Sequence, residues 1–435
     1  MISQAEFSRR RRLLMDDLED DSIAVLFSAP IVKRNRDSDY AYRQDSDFYY
    51  LSGFAEPESV IVLIPGRNGG EYVMFCRDKD PEKEIWDGIR LGVEGVSREL
   101  HVNEAHSITQ LNSVMPALFE GKKHIYYSIG RDASSDQNII GWLQAVKAKV
   151  RAGSSTPSAF FLLDSLLHEL RLIKSSQEIK IMRQAATISA RAHVRAMKAC
   201  RAGLMEYQLE AEISHEFLFS GAFSPAYSSI VGGGANACIL HYRDNNQKLE
   251  QGDLVLIDAG AEYQYYAGDI TRTFPVSGEY TSAQKELYQL VLKAQKAAIS
   301  MVKPGVSWNK PHEKAVQVLT AGLVKLGLLK GQTKDLIKSG AYRKFYMHRT
   351  GHWLGMDVHD VGEYKINGKW RVFEPGMVLT VEPGLYVAKN QSAVNAKWRG
   401  IGIRIEDDVL VTEDGCEVLS SLAPKEVDEI ESLMA

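Results

Sequence analysis

Two different spacings of hydrophobic residues divide the first third of the chain into predicted strands and helices. The runs SIAVLFSA, SVIVLIP and EYVMFC are short and rich in apolar residues, so they predict buried strands. The segment DQNIIGWLQAVKAKV has the spacing of an amphipathic helix. Strands and helices that alternate in this way are typical of an α/β domain.

A turn-rich break separates this region from the rest of the chain. The segment RAGSSTPSA, residues 151–159, concentrates the Gly, Ser and Pro residues that interrupt regular structure. SSQEI at residues 175–179 then has the serine cap and early acid with which a long helix begins. We therefore predict an N-terminal domain over residues 1–173 and a second domain over residues 174–435, and the chain length also favours two domains.

The second domain contains an internal repeat. Two helix–turn–helix patterns lead to GDLVLIDAG at residues 252–260 and GMVLTVEPG at residues 376–384. Both segments read Gly, five residues, an acid, one residue and Gly, which predicts two similar halves related by a pseudo-twofold axis. Glu382 is then the counterpart of Asp258. The possibility that two buried strands ending in turns are alike by chance stays open at this point.

Composition and charge exclude several classes of protein. The chain is 45% hydrophobic and 25% charged with a formal net charge of −4, which gives no electrostatic case for nucleic acid or an anionic membrane. No apolar run approaches the ~20 residues that span a bilayer. The four cysteines are scattered without C-x-x-C spacing, which predicts free thiols and a cytoplasmic protein.

Five side chains of the second domain could form a metal site. They are four carboxylates and one histidine at strand ends or strand interiors: Asp258, Asp269, His352, Glu382 and Glu406. Buried carboxylates crowd together only where a cation neutralises them. An oxygen-rich set of this kind suits two divalent ions, Mn²⁺ or Co²⁺, and Zn²⁺ could also bind. Two such ions would lie ~3.5–4 Å apart, and a hydroxide that bridges them would be the nucleophile.

Each of these residues also has an ordinary structural interpretation. Asp258 could be a turn residue, Asp269 could pair with Arg272, and Glu406 could pair with Arg404. A single histidine is more often structural than a ligand. His241, ahead of the strand that ends at Asp258, could face the same cavity, and a structural role is equally open. VGGGAN lacks the phosphate-loop pattern, and the chain has no G-x-S-x-G elbow, so neither a nucleotide site nor a serine hydrolase is indicated.

Several motifs together resemble those of a known family. HRTGHWLGMDVHDVG, LTVEPGLYV, GIRIEDDVLVT and LIDAGAEY with YAGDITRTF resemble the creatinase/methionine-aminopeptidase superfamily. YAYRQDSDFYYLSGFAEPESVIVLIPG is similar to the N-terminal domain of bacterial aminopeptidase P. The resemblance implies an α/β (α+β) protein with an N-terminal creatinase-like α/β domain and a C-terminal pita-bread catalytic domain with the internal pseudo-twofold repeat.

The resemblance also implies roles for single residues. Asp269 and Glu406 would bridge two metal ions, Asp258 would bind one ion, and His352 with Glu382 would bind the other. The residues implied around the substrate are His241, His348, His359 and the supporting Arg404. One departure from the family pattern is HRTGH, where related bacterial enzymes usually have a small residue after the first histidine and this chain has Arg349 and Thr350.

The implied activity is removal of the N-terminal residue from peptides with proline in second position. Glu382 would accept and transfer the proton, His359 would stabilise the tetrahedral oxygen, and His241 would line the proline side. A homodimer or homotetramer is implied, with the N-terminal domain making contacts between subunits. Three other functions stay open: a prolidase that takes only Xaa-Pro dipeptides, a metal-free creatinase-like hydrolase, and an inactive binding module on the same fold.

Overall fold

A computed structural model describes residues 1–435 of the chain. It divides into two units, Ile2–Arg171 and Leu172–Ala435. The domain boundary at residue 173 stays a prediction. No helix is both long and apolar enough to cross a membrane.

The first unit is a mixed α/β structure. Its helices are α1 (Gln4–Asp16), α2 (Ser46–Ser52), α3 (Pro81–Asp87), α4 (Gly92–Glu99), α5 (Leu111–Phe119), α6 (Ala133–Lys147) and α7 (Asp164–Leu172), the last of which ends at the first residue of the second unit. Its strands are β1 (Ser22–Phe27), β2 (Val60–Leu63), β3 (Tyr72–Cys76), β4 (Glu104–Ser107), β5 (His124–Tyr126) and β6 (Ala159–Phe161).

These strands form one sheet in the order β4-β3-β2-β1-β5-β6. β1 pairs in parallel with β5 and antiparallel with β2, so the sheet is mixed. The three apolar runs of the sequence form β1, β2 and β3, and DQNIIGWLQAVKAKV overlaps α6, as predicted. All residues of β2 and β3 are buried, as their continuous apolar sequence predicts.

The second unit carries the remaining elements. Its helices are α8 (Ser176–Ala199), α9 (Glu206–Phe219), α10 (Ser282–Ile299), α11 (Asn309–Lys325), α12 (Thr333–Ser339) and α13 (Val427–Met434). Its strands are β7 (Ser224–Pro225), β8 (Ile230–Gly233), β9 (Leu254–Asp258), β10 (Ala261–Tyr263), β11 (Tyr266–Ala267), β12 (Thr271–Pro275), β13 (Lys365–Ile366), β14 (Lys369–Trp370), β15 (Val378–Val381), β16 (Gly384–Val387), β17 (Ile401–Arg404), β18 (Asp407–Val411) and β19 (Cys416–Val418).

The predicted repeat has a clear counterpart in the order of these elements. The helix pair α8 and α9 precedes the three-stranded sheet β12-β9-β8, and the pair α10 and α11 precedes the three-stranded sheet β15-β18-β19. α8 and α10 both begin with a capping box, Ser175 with Glu178 and Thr281 with Gln284. Both halves of the unit therefore have the same order of elements: a helix pair followed by a three-stranded sheet.

Strand registers bring the candidate acids toward one region of the second unit. In the antiparallel pair β9 and β12, Asp258 lies opposite Thr271, two residues after Asp269. In the pair β15 and β18, Val381 lies opposite Asp407. Glu382 follows Val381 and Glu406 precedes Asp407, so both acids lie at the same end of this strand pair. Strand pairing therefore brings Asp258 close to Asp269 and Glu382 close to Glu406.

Candidate metal centre

Three of the five predicted ligands form one tight cluster. Asp269, His352 and Glu406 each offer a ligand atom, and these atoms all lie within 4.8 Å of one another. His352 Nε2 is 3.4 Å from Asp269 Oδ2 and 3.9 Å from Glu382 Oε1, which adds the fourth residue.

Asp258 joins the cluster through Tyr227 and Arg404. The Tyr227 hydroxyl lies 2.6 Å from Asp258 Oδ1 and 2.5 Å from Asp269 Oδ1. Arg404 Nη2 lies 2.5 Å from Asp258 Oδ2. The structure therefore brings all five predicted residues into one region and places Arg404 beside them.

The ring of His352 is oriented by its backbone surroundings. Its Nδ1 lies 2.9 Å from the Trp353 carbonyl oxygen, which can only accept a hydrogen bond, so Nδ1 carries the hydrogen. Nε2 then faces Asp269 and Glu382. Burial opposes a charge on the ring, but the hydrogen bond to Asp269 and the charges of these two acids raise the pKa of His352 to about 9. A histidine whose second nitrogen is held by a carbonyl in this way is typical of metal ligands.

The carboxylates of the cluster carry more negative charge than the protein neutralises. Burial raises the pKa of Asp269, raises the pKa of Glu382 to about 7 and raises the pKa of Glu406 well above its ordinary value. Arg404 is the one permanent cation that contacts these carboxylates, and it pairs with Asp258. Four carboxylates, one imidazole nitrogen that faces them and one arginine fit a site for divalent cations.

The predicted substrate histidines surround this cluster. His348 Nε2 lies 2.8 Å from the Tyr386 hydroxyl, and its Nδ1 lies 3.7 Å from Glu382 Oε2. Burial and the charge of Arg404 lower the pKa of His348 to about 3, so the ring is neutral. The ring of His359 is centred 4.2 Å from that of His352.

His241 is more loosely connected to the cluster. It lies close enough to His348 and His359 to contribute, after burial, to their lowered pKa values, but it has no hydrogen bond or ion pair to the cluster. The loop that carries His241 is held by Glu206, whose buried carboxylate accepts hydrogen bonds from the Gly233 backbone, the Asn236 amide, the Tyr242 hydroxyl and the Gln247 backbone.

The histidine segment is tied to the glutamate strand by close backbone pairing. Thr380 N donates to the His352 carbonyl at 2.9 Å, and Glu382 N donates to the Thr350 carbonyl at 2.8 Å. A Cβ on Gly351 would lie 2.0 Å from the Thr380 carbonyl oxygen, so only glycine allows this approach. The H-x-x-G-H spacing therefore places both histidines against the strand that delivers Glu382.

Sequence reasoning missed three residues that support the cluster. Tyr227 touches two of the acids, Thr271 Oγ1 donates to Glu406 Oε2 at 2.6 Å, and both oxygens of Asp408 lie 3.2 Å from Asp269 N. Asp408 is visible in the sequence as an unusual second acid after Glu406 in a buried strand. The sequence carries no comparable signal for Tyr227.

The two local ion pairs that the sequence allows do not form. Arg272 Nη2 pairs with Asp407 at 2.7 Å rather than with Asp269, and Arg404 pairs with Asp258 rather than with Glu406. Arg272 also donates to the carbonyl of Glu406 and so holds the backbone beside the site.

Comparison with known proteins matches both parts of the chain. The metallopeptidase family M24 matches residues 180–413, and the N-terminal domain of aminopeptidase P matches residues 7–126. The chain is 46% identical over 434 residues to the Xaa-Pro aminopeptidase of Escherichia coli, covering all of this chain and 98% of that protein.

The chain belongs to metallopeptidase family M24.

Solved structures of family members agree with this assignment. Pseudomonas aeruginosa aminopeptidase PepP superposes with a TM-score of 0.99 at 55% identity, covering 100% of this chain and 98% of that one. A zinc-substituted E. coli aminopeptidase P in complex with product superposes with a TM-score of 0.97 at 46% identity, with the same coverage. The predicted family and the predicted pita-bread fold are confirmed.

A second group of possible ligands in this M24 protein lies in the first unit. Its possible ligand atoms all lie within 4.8 Å of one another and belong to Asp47, Asp164 and His168. Asp47 already pairs with Arg171 at 2.7 Å and with Arg131 at 2.8 Å. Burial alone would raise the pKa of Asp47, but these charges hold it well below the usual range. Its charge is neutralised by the protein itself, so we assign this group to an ion-pair network and not to a metal site.

Proposed function

We propose that this chain is a metal-dependent Xaa-Pro aminopeptidase, a hydrolase that releases the first residue of peptides with proline in second position. The observation that carries the proposal is the grouping of Asp258, Asp269, His352, Glu382 and Glu406 around a site short of positive charge. Resemblance to Xaa-Pro aminopeptidases along the whole chain, including the N-terminal domain, favours this function over a prolidase.

The five residues would hold two divalent ions. We propose Mn²⁺ as the physiological metal, since the donors are mainly hard carboxylate oxygens. When bound, such ions polarise the scissile carbonyl and make a water molecule more acidic. Tyr227 and Thr271 would hold the ligand carboxylates in place through their hydroxyl groups.

Glu382 is the residue that we propose as proton acceptor and shuttle. Burial raises its pKa to about 7, so it can both take up and release a proton near neutral pH. His348 and His359 lie on the substrate side of the cluster. His359 would donate to the oxygen that becomes negative in the tetrahedral intermediate, and His241 would line the proline side.

The preference for proline has a simple physical basis. The Xaa–Pro bond is a tertiary amide, so its nitrogen carries no hydrogen for a peptidase to bind. Here the substrate would instead be held by its free amine, with Asp258 as the nearby carboxylate, and by its carbonyl. Recognition of the free amine would restrict cleavage to the first residue.

Oligomeric state and location are further parts of the proposal. We propose a homodimer or homotetramer, since α3 of the first unit exposes Trp86 at 87% and Ile85 at 81%, and Ile89 just beyond it at 86%. We propose a cytoplasmic location, since all four cysteines are free thiols. Neither proposal depends on the metal site.

The decisive experiment compares peptides that differ in length and in the residue at the second position. Purified protein with added Mn²⁺ should release the first residue from Ala-Pro-Ala and leave Ala-Ala-Ala intact. A strong preference for the Ala-Pro dipeptide over Ala-Pro-Ala would instead identify a prolidase. Metal analysis of the same protein completes the test, because a chain that holds no divalent ion and cleaves none of these peptides would be a binding module or a metal-free hydrolase.

A further inference from the structure

Thr350 connects the histidine segment to a hydrogen-bond chain outside the metal cluster. Its side chain is buried, although it follows the exposed Arg349. Thr350 Oγ1 lies 2.8 Å from His312 Nδ1 and 2.5 Å from the Tyr346 hydroxyl. Tyr346 is fully buried, and His312 lies in the first turn of α11.

The donors and acceptors of these groups set the direction of the chain. The buried Tyr346 hydroxyl has Thr350 Oγ1 as its hydrogen-bond partner, so it must donate there to be satisfied. Thr350 then has its own hydrogen left for His312 Nδ1. Hydrogen bonds therefore run from the Tyr346 hydroxyl to Thr350 and from Thr350 to His312, and we call these three side chains the relay. The ring hydrogen of His312 is consequently on Nε2.

Two contacts join the relay to residues of the proposed site. The ring of Tyr346 packs edge-on against the ring of His348, with centroids 4.9 Å apart and planes at 80°. The carbonyl of Thr350 accepts the backbone hydrogen bond of Glu382 at 2.8 Å. A shift of Thr350 would therefore move the backbone of Glu382 and release the ring that backs His348.

We propose that Tyr346, Thr350 and His312 are positioning residues that hold His348 and Glu382 in place from the side away from the substrate. The proposal rests on the proposed peptidase function for its kinetic consequence. The relay anchors the histidine segment to α11, an element that contributes no metal ligand. Small displacements of reacting groups cost up to about 100-fold in rate, so a relay of this kind matters mainly for turnover.

The kinetic test uses two pairs of matched variants. Thr350→Val keeps the shape and removes the hydroxyl, whereas Thr350→Ser keeps the hydroxyl. His312→Phe removes the acceptor, whereas His312→Asn places an amide oxygen where Nδ1 lies. We expect Thr350→Val and His312→Phe to lower kcat at least about 10-fold with KM within about twofold, and Thr350→Ser and His312→Asn to remain within about threefold of wild type.

Arg349→Lys is the control for a change next to Thr350. The Arg349 side chain is exposed and contacts Asn309 and Trp370, so this variant should retain wild-type kinetics. A Thr350→Val protein with kcat within twofold of wild type would overturn the proposal. So would equal losses in His312→Asn and His312→Phe, a comparison that does not need Thr350→Val to fold.

A second readout does not depend on catalysis. In ¹⁵N-histidine-labelled, metal-free protein, His312 should show an unprotonated Nδ1 and a protonated Nε2, and Thr350→Val should abolish this single-tautomer state. A protonated Nδ1 in the wild type would overturn the relay. If the wild type cleaved no Xaa-Pro peptide, the proposed function would fail while this measurement would still decide the relay.

Discussion

At the scale of single residues, Tyr227 is a hydrogen-bond donor that two carboxylates of the cluster share. Its hydroxyl oxygen, which carries a single hydrogen, lies 2.6 Å from Oδ1 of Asp258 and 2.5 Å from Oδ1 of Asp269. Burial and the nearby carboxylates raise the pKa of Tyr227 well above its ordinary value, so the phenol keeps its hydrogen. The residue therefore supports the two acids as a neutral donor.

Replacing Tyr227 tests this role directly. We expect Tyr227→Phe to weaken divalent-metal binding by about 10- to 100-fold, because the two carboxylates lose the donor that orients them. Calorimetric titration of metal-free protein with Mn²⁺ measures the effect. Tyr263→Phe, a half-buried tyrosine on β10, is the matched control and should leave the affinity unchanged. An unchanged affinity in Tyr227→Phe would assign the tyrosine to packing alone.

Glu382 carries the second prediction at this scale. We expect Glu382→Ala to lower kcat for Ala-Pro-Ala by about 10²- to 10⁴-fold, because the proton shuttle is removed. The thermal unfolding midpoint, measured by circular dichroism without added metal, should not fall, since removal of Glu382 relieves the repulsion among buried carboxylates. Glu413→Ala, an exposed acid of the same unit, should retain full activity. Near wild-type turnover in Glu382→Ala would show that the shuttle is another residue.

At the scale of elements, helix α8 supports the strand that ends at Asp258. His193 of α8 is fully buried, and its Nε2 donates to the carbonyl of Ala259 at 3.1 Å. Its Nδ1 is buried without a partner, so the ring is neutral in the folded protein. Burial, together with the charge of Arg272, lowers the pKa of His193 to about 4.

This pKa predicts how stability depends on pH. The unfolded chain protonates His193 below about pH 6.5, whereas the folded protein resists protonation down to about pH 4. Between these values the unfolded state binds more protons, so the free energy of unfolding falls as the pH falls. The contribution of His193 to this loss is about 3 kcal/mol over the whole window.

The measurement compares wild type with His193→Gln, both free of metal. Urea unfolding at pH 7 should show the variant to be the less stable protein. At pH 4 the difference between the two should be smaller by about 3 kcal/mol, since only the wild type loses stability through protonation of His193 in the unfolded state. A difference that stays constant from pH 7 to pH 4 would contradict the neutral, buried state of this histidine.

At the scale of the whole molecule, the exposed apolar side chains near α3 are where we expect one copy of the protein to contact another. Trp86, Ile85 and Ile89 belong to the first unit and are more than four-fifths exposed. Exposed groups of this size favour association. We expect Trp86→Ser to lower the mass of the particle in sedimentation velocity at micromolar concentration, with Ile140→Ser, an exposed apolar residue of α6, as the control. The same mass in both variants would place the interface elsewhere.

Much of the fold follows from local pattern. The apolar runs that became β1 to β3 and the capped start of α8 are local features, and the structure has them where they were predicted. The five candidate ligands were also visible, because acids and histidines at the ends of buried strands are costly unless they have a purpose. The supporting residues were not visible in the sequence. Tyr227 lies 31 residues from Asp258 and 42 residues from Asp269, and Asp408 lies 139 residues from Asp269.

The sequence by itself determined the secondary structure of the main elements, the family and the set of acids and histidines from which the site is built. The tertiary structure decided which charges meet: Arg404 pairs with Asp258, Arg272 pairs with Asp407, and the acids between them are left without a permanent cation. It also decided that Thr350 faces His312 and Tyr346. The physical reason is that periodicity and capping act over a few residues, whereas the partner of a buried polar group depends on how distant strands and helices pack.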